Sequence, residues 1–124
     1  MKRFVAAAAL TLLVSSAALA AAPQDMMMEP VTVKGTVIDT ACYAAGKHGP
    51  EEAGCTKMCL NMGVPASFLT EGGDVLILLP PADEGKMDAF KSLKSHAAQE
   101  VAITGMVMER DGLRAMMVMK VESN

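Results

Sequence analysis

The sequence has no tryptophan, and aromatics make up only 3 % of its 124 residues. Stacking platforms for single-stranded nucleic acid and aromatic-lined sugar clefts are built from such side chains, so neither function class fits. A positive surplus is missing too. The formal net charge is −3, whereas phosphate contacts need a basic surface. Nucleic acid is therefore excluded as a partner. Histidine occurs twice, as His48 and His96. No Ser-His-Asp arrangement is visible, and Asp39 has no second carboxylate beside it, so hydrolysis has no machinery. The chain reads as a non-enzyme, with thiol redox chemistry as the one activity left open. The three cysteines show neither the C-x2-C spacing of zinc ribbons nor the C-x2-C-H signature of covalent haem.

A long apolar run is also lacking, apart from one near the start. Met1-Lys2-Arg3 is a basic cluster, Phe4 to Ala18 is apolar, and Ala18-Leu19-Ala20 fits the small-x-small pattern of signal cleavage. The apolar stretch is shorter than the roughly 20 residues a spanning helix needs, and no stop-transfer flank follows. Residues 1–20 are expected to be a signal peptide cut after Ala20. That predicts a periplasmic or secreted protein without stable membrane insertion. Once Lys2 and Arg3 leave with the signal, 9 basic residues stand against 14 acidic ones, a net charge of about −5. An oxidising compartment favours disulfides, but three cysteines leave one unmatched. Residues 21–30, ending in PQDMMMEP, lack periodicity and contain two prolines, so they read as a flexible leader. Met26-Met27-Met28 offers soft thioethers there.

Residues 31–124 read as one domain. Val31, Val33 and Val37 alternate with polar residues, which predicts a strand, and Gly35 marks a bend within it. Gly49 to Met62 predicts a short helix, with Pro50 in its first turn and Gly63 as its stop. Ala66–Thr70 and Asp74–Leu79 form a predicted hairpin, the second run expected to be buried on both faces. Asp83–Ala97 predicts a single amphipathic helix carrying Met87, Phe90 and Leu93. Val101–Glu109 and Leu113–Glu122 predict a second hairpin around Asp111-Gly112. In the last strand, Leu113, Ala115, Met117, Met119 and Val121 are expected to point inward. Val31-x-Val33-x-Gly35-x-Val37-x-Asp39 is echoed by Val101-x-Ile103-x-Gly105-x-Val107-x-Glu109. Strands that bend at such glycines suit a small closed barrel. The order predicts a mainly β, five-stranded OB-like barrel. One helix lies between strands 3 and 4, and a cysteine-bearing short helix is inserted between strands 1 and 2.

The stretch Asp39 to Gly63 (DTACYAAGKHGPEEAGCTKMCLNMG) holds Cys42, His48, Cys55 and Cys59. Three thiolates and an imidazole form a closed ligand set for zinc. Cu(I) is the rival ion, with Met58 and Met62 as additional soft ligands. Cys55, Met58, Cys59 and Met62 fall on one face of the predicted helix. The same cysteines also allow a disulfide of Cys42 with Cys59 or Cys55 and a leftover thiol, or a redox pair of Cys55 and Cys59. Asp39 is expected to cap the turn that follows it by accepting from backbone N–H groups. His96, late in a helix, is explained by a favourable interaction with the helix C-terminus. Met106, Met108, Met117 and Met119 are expected to pack the core, with a copper-loading surface as the alternative.

The segment Gly35-Thr36-Val37-x-Asp39-x-x-Cys42, followed by His48, the C-x3-C pair Cys55 and Cys59, Gly63 and a V-x-I-x-G strand at Val101–Gly105, resembles a group of small exported bacterial proteins with an OB-like domain. The resemblance implies a fold and an envelope location, and no particular activity. The resulting expectation is a metal-binding or metal-handling protein (Cu or Zn) using the Cys/His cluster. Its partner is a metal ion or a protein in the cell envelope. The alternatives are a disulfide-stapled OB-like module that binds a protein, and a thiol–disulfide redox protein.

Overall fold

The computed structural model describes residues 29–124. The expected signal peptide, most of the leader and Met26–Met28 lie outside the described residues. Five strands form a closed ring: β1 (Val31–Asp39), β2 (Ala66–Thr70), β3 (Val75–Leu79), β4 (Glu100–Arg110) and β5 (Leu113–Ser123). Their order around the ring is β1-β2-β3-β5-β4, closing back on β1. All neighbours are antiparallel except β3 and β5, which run parallel through Ile77–Ala115 to Leu79–Met117.

The first strand is shared between two neighbours. Its first half pairs with β4 from Val31–Gly105 to Thr36–Glu100, and its second half pairs with β2 from Gly35–Thr70 to Asp39–Ala66. The strand must therefore bend at Gly35. The two echoed glycines take up mirror positions in the β1–β4 pairing, Val31 opposite Gly105 and Gly35 opposite Val101. Each also lets a neighbouring strand come close. A Cβ at Gly35 would overlap the Leu69 carbonyl, and one at Gly105 the Met117 carbonyl.

Inside the ring, Val37, Phe68, Leu76, Leu78, Val101, Ile103, Met116 and Val118 pack together, joined by Leu60, Leu93 and Ala97 from the connections. The predicted parity of β5 holds at the buried Ala115 but fails at Leu113, Met117 and Met119. Met116 and Val118 are fully buried, whereas Met119 is 43 % exposed. The pairing jumps from Thr104–Lys120 to Gly105–Val118, so Met119 is the extra residue of a bulge. Beyond it the inward set resumes at Val121, which packs against the core. Between Ala115 and Met119 both parities are apolar, so alternation there could not reveal which one faces in. β3 alternates too, with Leu76 and Leu78 buried and Val75, Ile77 and Leu79 half-buried, instead of being buried on both faces. Asp111 (φ 51°) and Gly112 (φ 85°) form the expected two-residue hairpin turn.

The single helix expected over Asp83–Ala97 is broken into three parts. A 3-10 turn (Glu84–Lys86) leads into α3 (Met87–Ser92), and a second 3-10 segment follows (Leu93–His96). The serines explain the tightening. Ser92 Oγ donates to Ala89 O at 2.7 Å and Ser95 Oγ to Ser92 O at 2.6 Å, drawing the backbone in at a three-residue spacing. The connection between β1 and β2 carries two helices where one was expected: α1 (Thr40–Ala44), then a 3-10 turn (Pro50–Glu52) running into α2 (Ala53–Asn61). Among the described residues no helix is long and apolar enough to cross a membrane.

Candidate metal centre

The site begins at the last residue of β1. Asp39 is 1 % exposed, and its Oδ1 accepts from the Cys42 backbone N–H at 2.8 Å. That capping bond starts α1 and sets Cys42 one turn into it. Thr40 then ties α1 to the chain leaving α2. Its N–H and Oγ1 both donate to the Pro65 carbonyl, at 3.0 and 2.8 Å, and Oγ1 lies 2.8 Å from the buried Ser67 hydroxyl. Helix α2 is seated by its buried Thr56 and Leu60. It ends at Gly63, where the Val64 N–H donates to the Cys59 carbonyl at 3.0 Å. These bonds fix α1 against α2 and bring their three cysteines face to face.

Cys42 Sγ lies 3.4 Å from Cys55 Sγ and 3.8 Å from Cys59 Sγ. All three sulfurs are within 4.8 Å of one another, and all three side chains are half-buried. Among the described residues this is the one cluster of potential metal ligands. The cysteines are free, the sulfurs standing well beyond the roughly 2.05 Å of a disulfide bond. Thiolates about 2.3 Å from a tetrahedral zinc sit roughly 3.8 Å apart, and Cys42 stands at 3.4 and 3.8 Å from its two neighbours. A three-cysteine group of this shape could hold a metal ion.

Charge around the sulfurs is negative. Asp39 Oδ2 is buried and makes no hydrogen bond. Among the described residues no lysine or arginine pairs with this carboxylate. The Cys42 thiol is pushed up to about 12, first by its contact with the Cys55 thiol, then by burial and by the neighbouring Asp39 carboxylate. Burial, followed by the same carboxylate, raises Cys59 as well, against a lowering by Cys42. Reactive cysteines sit in electropositive surroundings with a depressed thiol, and this site is the reverse. Without an ion, Cys42 is protonated at neutral pH. Its thiolate fraction falls tenfold for each unit its pKa is raised. Iodoacetamide at neutral pH should therefore label Cys42 at least about 10-fold more slowly than an unperturbed exposed thiol. Labelling should accelerate as the pH rises toward 12. Peptide mass spectrometry of the time course measures this, and fast neutral-pH labelling of Cys42 would contradict it.

Comparison with known protein families, with curated proteins and with solved structures finds no match.

The site is therefore read from its own residues. Cys42, Cys55 and Cys59 come together as the spacing suggested. His48 is placed apart from that cluster. It is exposed, its ring packs on Tyr43 with centroids 5.1 Å apart, and it borders a separate cleft of about 470 Å³ with Thr36, Ile38 and Gln99. Met58 is exposed on α2, and Met62 is exposed at the C-terminal cap of that helix. His96 is half-buried and its Nδ1 lies 3.4 Å from Gln99 Oε1. Asp39 caps as expected, but its second, unpaired oxygen was not foreseeable from sequence. Thr40 and Ser67 were missed as positioning residues. Their only signal was polarity at strand ends, which many solvated residues share.

Proposed function

We propose that this chain is an exported metal-handling protein of the cell envelope, with its ion held by Cys42, Cys55 and Cys59. The observation that carries the reading is the convergence of three sulfurs beside a buried carboxylate that has no cation partner. A buried charge without a partner is costly. A cation bound among the sulfurs would offset the Asp39 charge, and thiolates are the donors that Zn and Cu(I) prefer. The strand order with a parallel β3–β5 closure supports an OB-like ring as the scaffold. The basic and apolar N-terminal sequence supports export. A redox pair of Cys55 and Cys59 is disfavoured by the negative Asp39 carboxylate near these sulfurs, since reactive cysteines sit in electropositive surroundings. A structural disulfide is the second reading, favoured by the 3.4 Å approach of Cys42 and Cys55.

Native and peptide mass spectrometry of protein recovered from the envelope tests both readings. One ion per chain with three reduced cysteines is expected, the ion being lost to a strong chelator. An oxidised Cys42–Cys55 or Cys42–Cys59 pair with no ion would sink the metal reading. The carboxylate gives a second test. Asp39→Asn keeps the Oδ1 cap and removes the charge. Metal affinity should fall about 10-fold, while thermal melting shows the apoprotein at least as stable as wild type. A large loss of apoprotein stability would mean that Asp39 serves only the fold.

A further inference from the structure

Four sulfur side chains follow one another around α2 and its helical C-cap residue, Met62. The helix advances about 100° per residue. Starting from the buried pair Thr56 and Leu60, the order round the helix is Cys59, Cys55, Met62, Met58. Exposure is greater at the methionine end of that path than at the cysteine end. Both cysteines are half-buried, and Met58 and Met62 are 56 % and 69 % exposed. Met58 and Met62 are neighbours at an i, i+4 spacing, so the two exposed thioethers share one face. Met116, by contrast, is fully buried in the ring, so this fold does place methionine inside where packing is the need. Each methionine follows a cysteine of the cluster by three residues, Met58 after Cys55 and Met62 after Cys59, so the pair neighbours the cysteines on the helix surface.

The donor set is soft throughout. The cluster contains three cysteines and no histidine or carboxylate. A structural zinc site wants four protein ligands in a closed tetrahedron, whereas Cu(I) is a soft ion that thiolates and thioethers select. Thioethers are not zinc ligands. Resting on the metal reading above, we propose that the cargo is Cu(I), received at the exposed Met58 and Met62 thioethers and passed inward to the Cys42, Cys55 and Cys59 thiolates. The step is a ligand exchange. A copper–thioether bond breaks, a copper–thiolate bond forms, the displaced thiol proton goes to solvent, and copper stays monovalent throughout. Weak, open ligands outside and strong, half-buried ligands inside give the transfer its direction.

The test uses full-length mature protein without oxygen. Apoprotein is offered equal Cu(I) and Zn(II), and X-ray absorption reads the neighbours of the bound ion. Copper with only sulfur neighbours is expected. The double variant Met58→Leu, Met62→Leu is near-isosteric and lies on the surface. It should hold Cu(I) within about threefold of wild type. Its loading rate from a Cu(I)–methionine peptide, followed by the thiolate-to-copper ultraviolet absorption, should drop at least about fivefold. Zinc bound with a nitrogen or oxygen neighbour, or unchanged loading by the variant, overturns the copper route and leaves the metal reading standing. Failure to bind either ion overturns both.

Discussion

Cys42→Ser lowers metal affinity at least about 100-fold, beyond the 10- to 100-fold usual for residues that merely support a ligand. Serine nearly matches the volume of cysteine, and Cys42 is half-buried with its backbone N–H already held by Asp39. Helix α1 therefore keeps its place, and the loss reports the missing sulfur alone. Cys55→Ser and Cys59→Ser produce losses of the same order, because each supplies one of three donors around a common point. This symmetry separates the two readings of the cluster. In a disulfide staple of Cys42 with Cys55, removing Cys59 is silent and removing either partner costs stability, on the order of 3 kcal/mol for a loop of this length. His48→Ala is the internal control. Its ring packs on Tyr43 and is not among the ligand atoms that converge with the sulfurs, so affinity should stay within about twofold. Competition with a chromophoric chelator measures all four variants. Equal losses across the cysteines with His48→Ala silent identify a sulfur-only site.

That contrast shows how far the residues alone lead. Cysteine and histidine are conspicuous in a short stretch, but spacing does not say which of them meet. His48 lies between Gly46 and Gly49, both at positive φ, and the backbone path there carries its ring to Tyr43. The cysteines, in contrast, sit on two helices whose relative placement depends on Thr40, Pro65 and Ser67. No periodicity encodes such a cross-link, since its partners are 25 and 27 residues apart. The ring itself was more legible. Period-two patterns and the Asp111-Gly112 turn are local signals, and the structure keeps them. β5 failed where a local rule had to choose between two apolar faces. Its inward parity is decided by the bulge at Met119, a property of the pairing with β4. Asp39 lies between these cases. Its capping role follows from its place after a strand. Its unpaired oxygen exists only because the ring and α1 bury it.

The repeated glycines carry the other large effect. Gly105→Ala should destabilise the protein by at least about 1–3 kcal/mol, the usual cost of overpacking. At about 4–8 °C per kcal/mol for a domain of this size, melting should fall by roughly 10 °C. The reason is geometric. A Cβ at Gly105 would overlap the Met117 carbonyl, and a backbone atom cannot swing aside as a side chain can. Moving Met117 displaces Met116, which is buried at the centre of the core, and disturbs the bulge that sets the β4–β5 register. Gly35→Ala meets the same obstacle at the Leu69 carbonyl and should cost a similar amount. Gly105→Val puts two further methyl groups into a space that lacks room for the Cβ alone, and should remove most of the roughly 5–15 kcal/mol that a typical domain has in total. Gly54→Ala is the counterpart. Nothing lies within 4 Å of a Cβ there, and in α2 the change should stabilise by up to about 1 kcal/mol. Thermal melts of the four variants decide the matter. If Gly35→Ala and Gly105→Ala melt like wild type, the close strand approaches at these two positions do not hold the ring together. If they fall as expected, the echo between the first and fourth strands records a steric requirement. It fixes the end of β1, and therefore the place from which Asp39 and Cys42 reach the sulfur cluster.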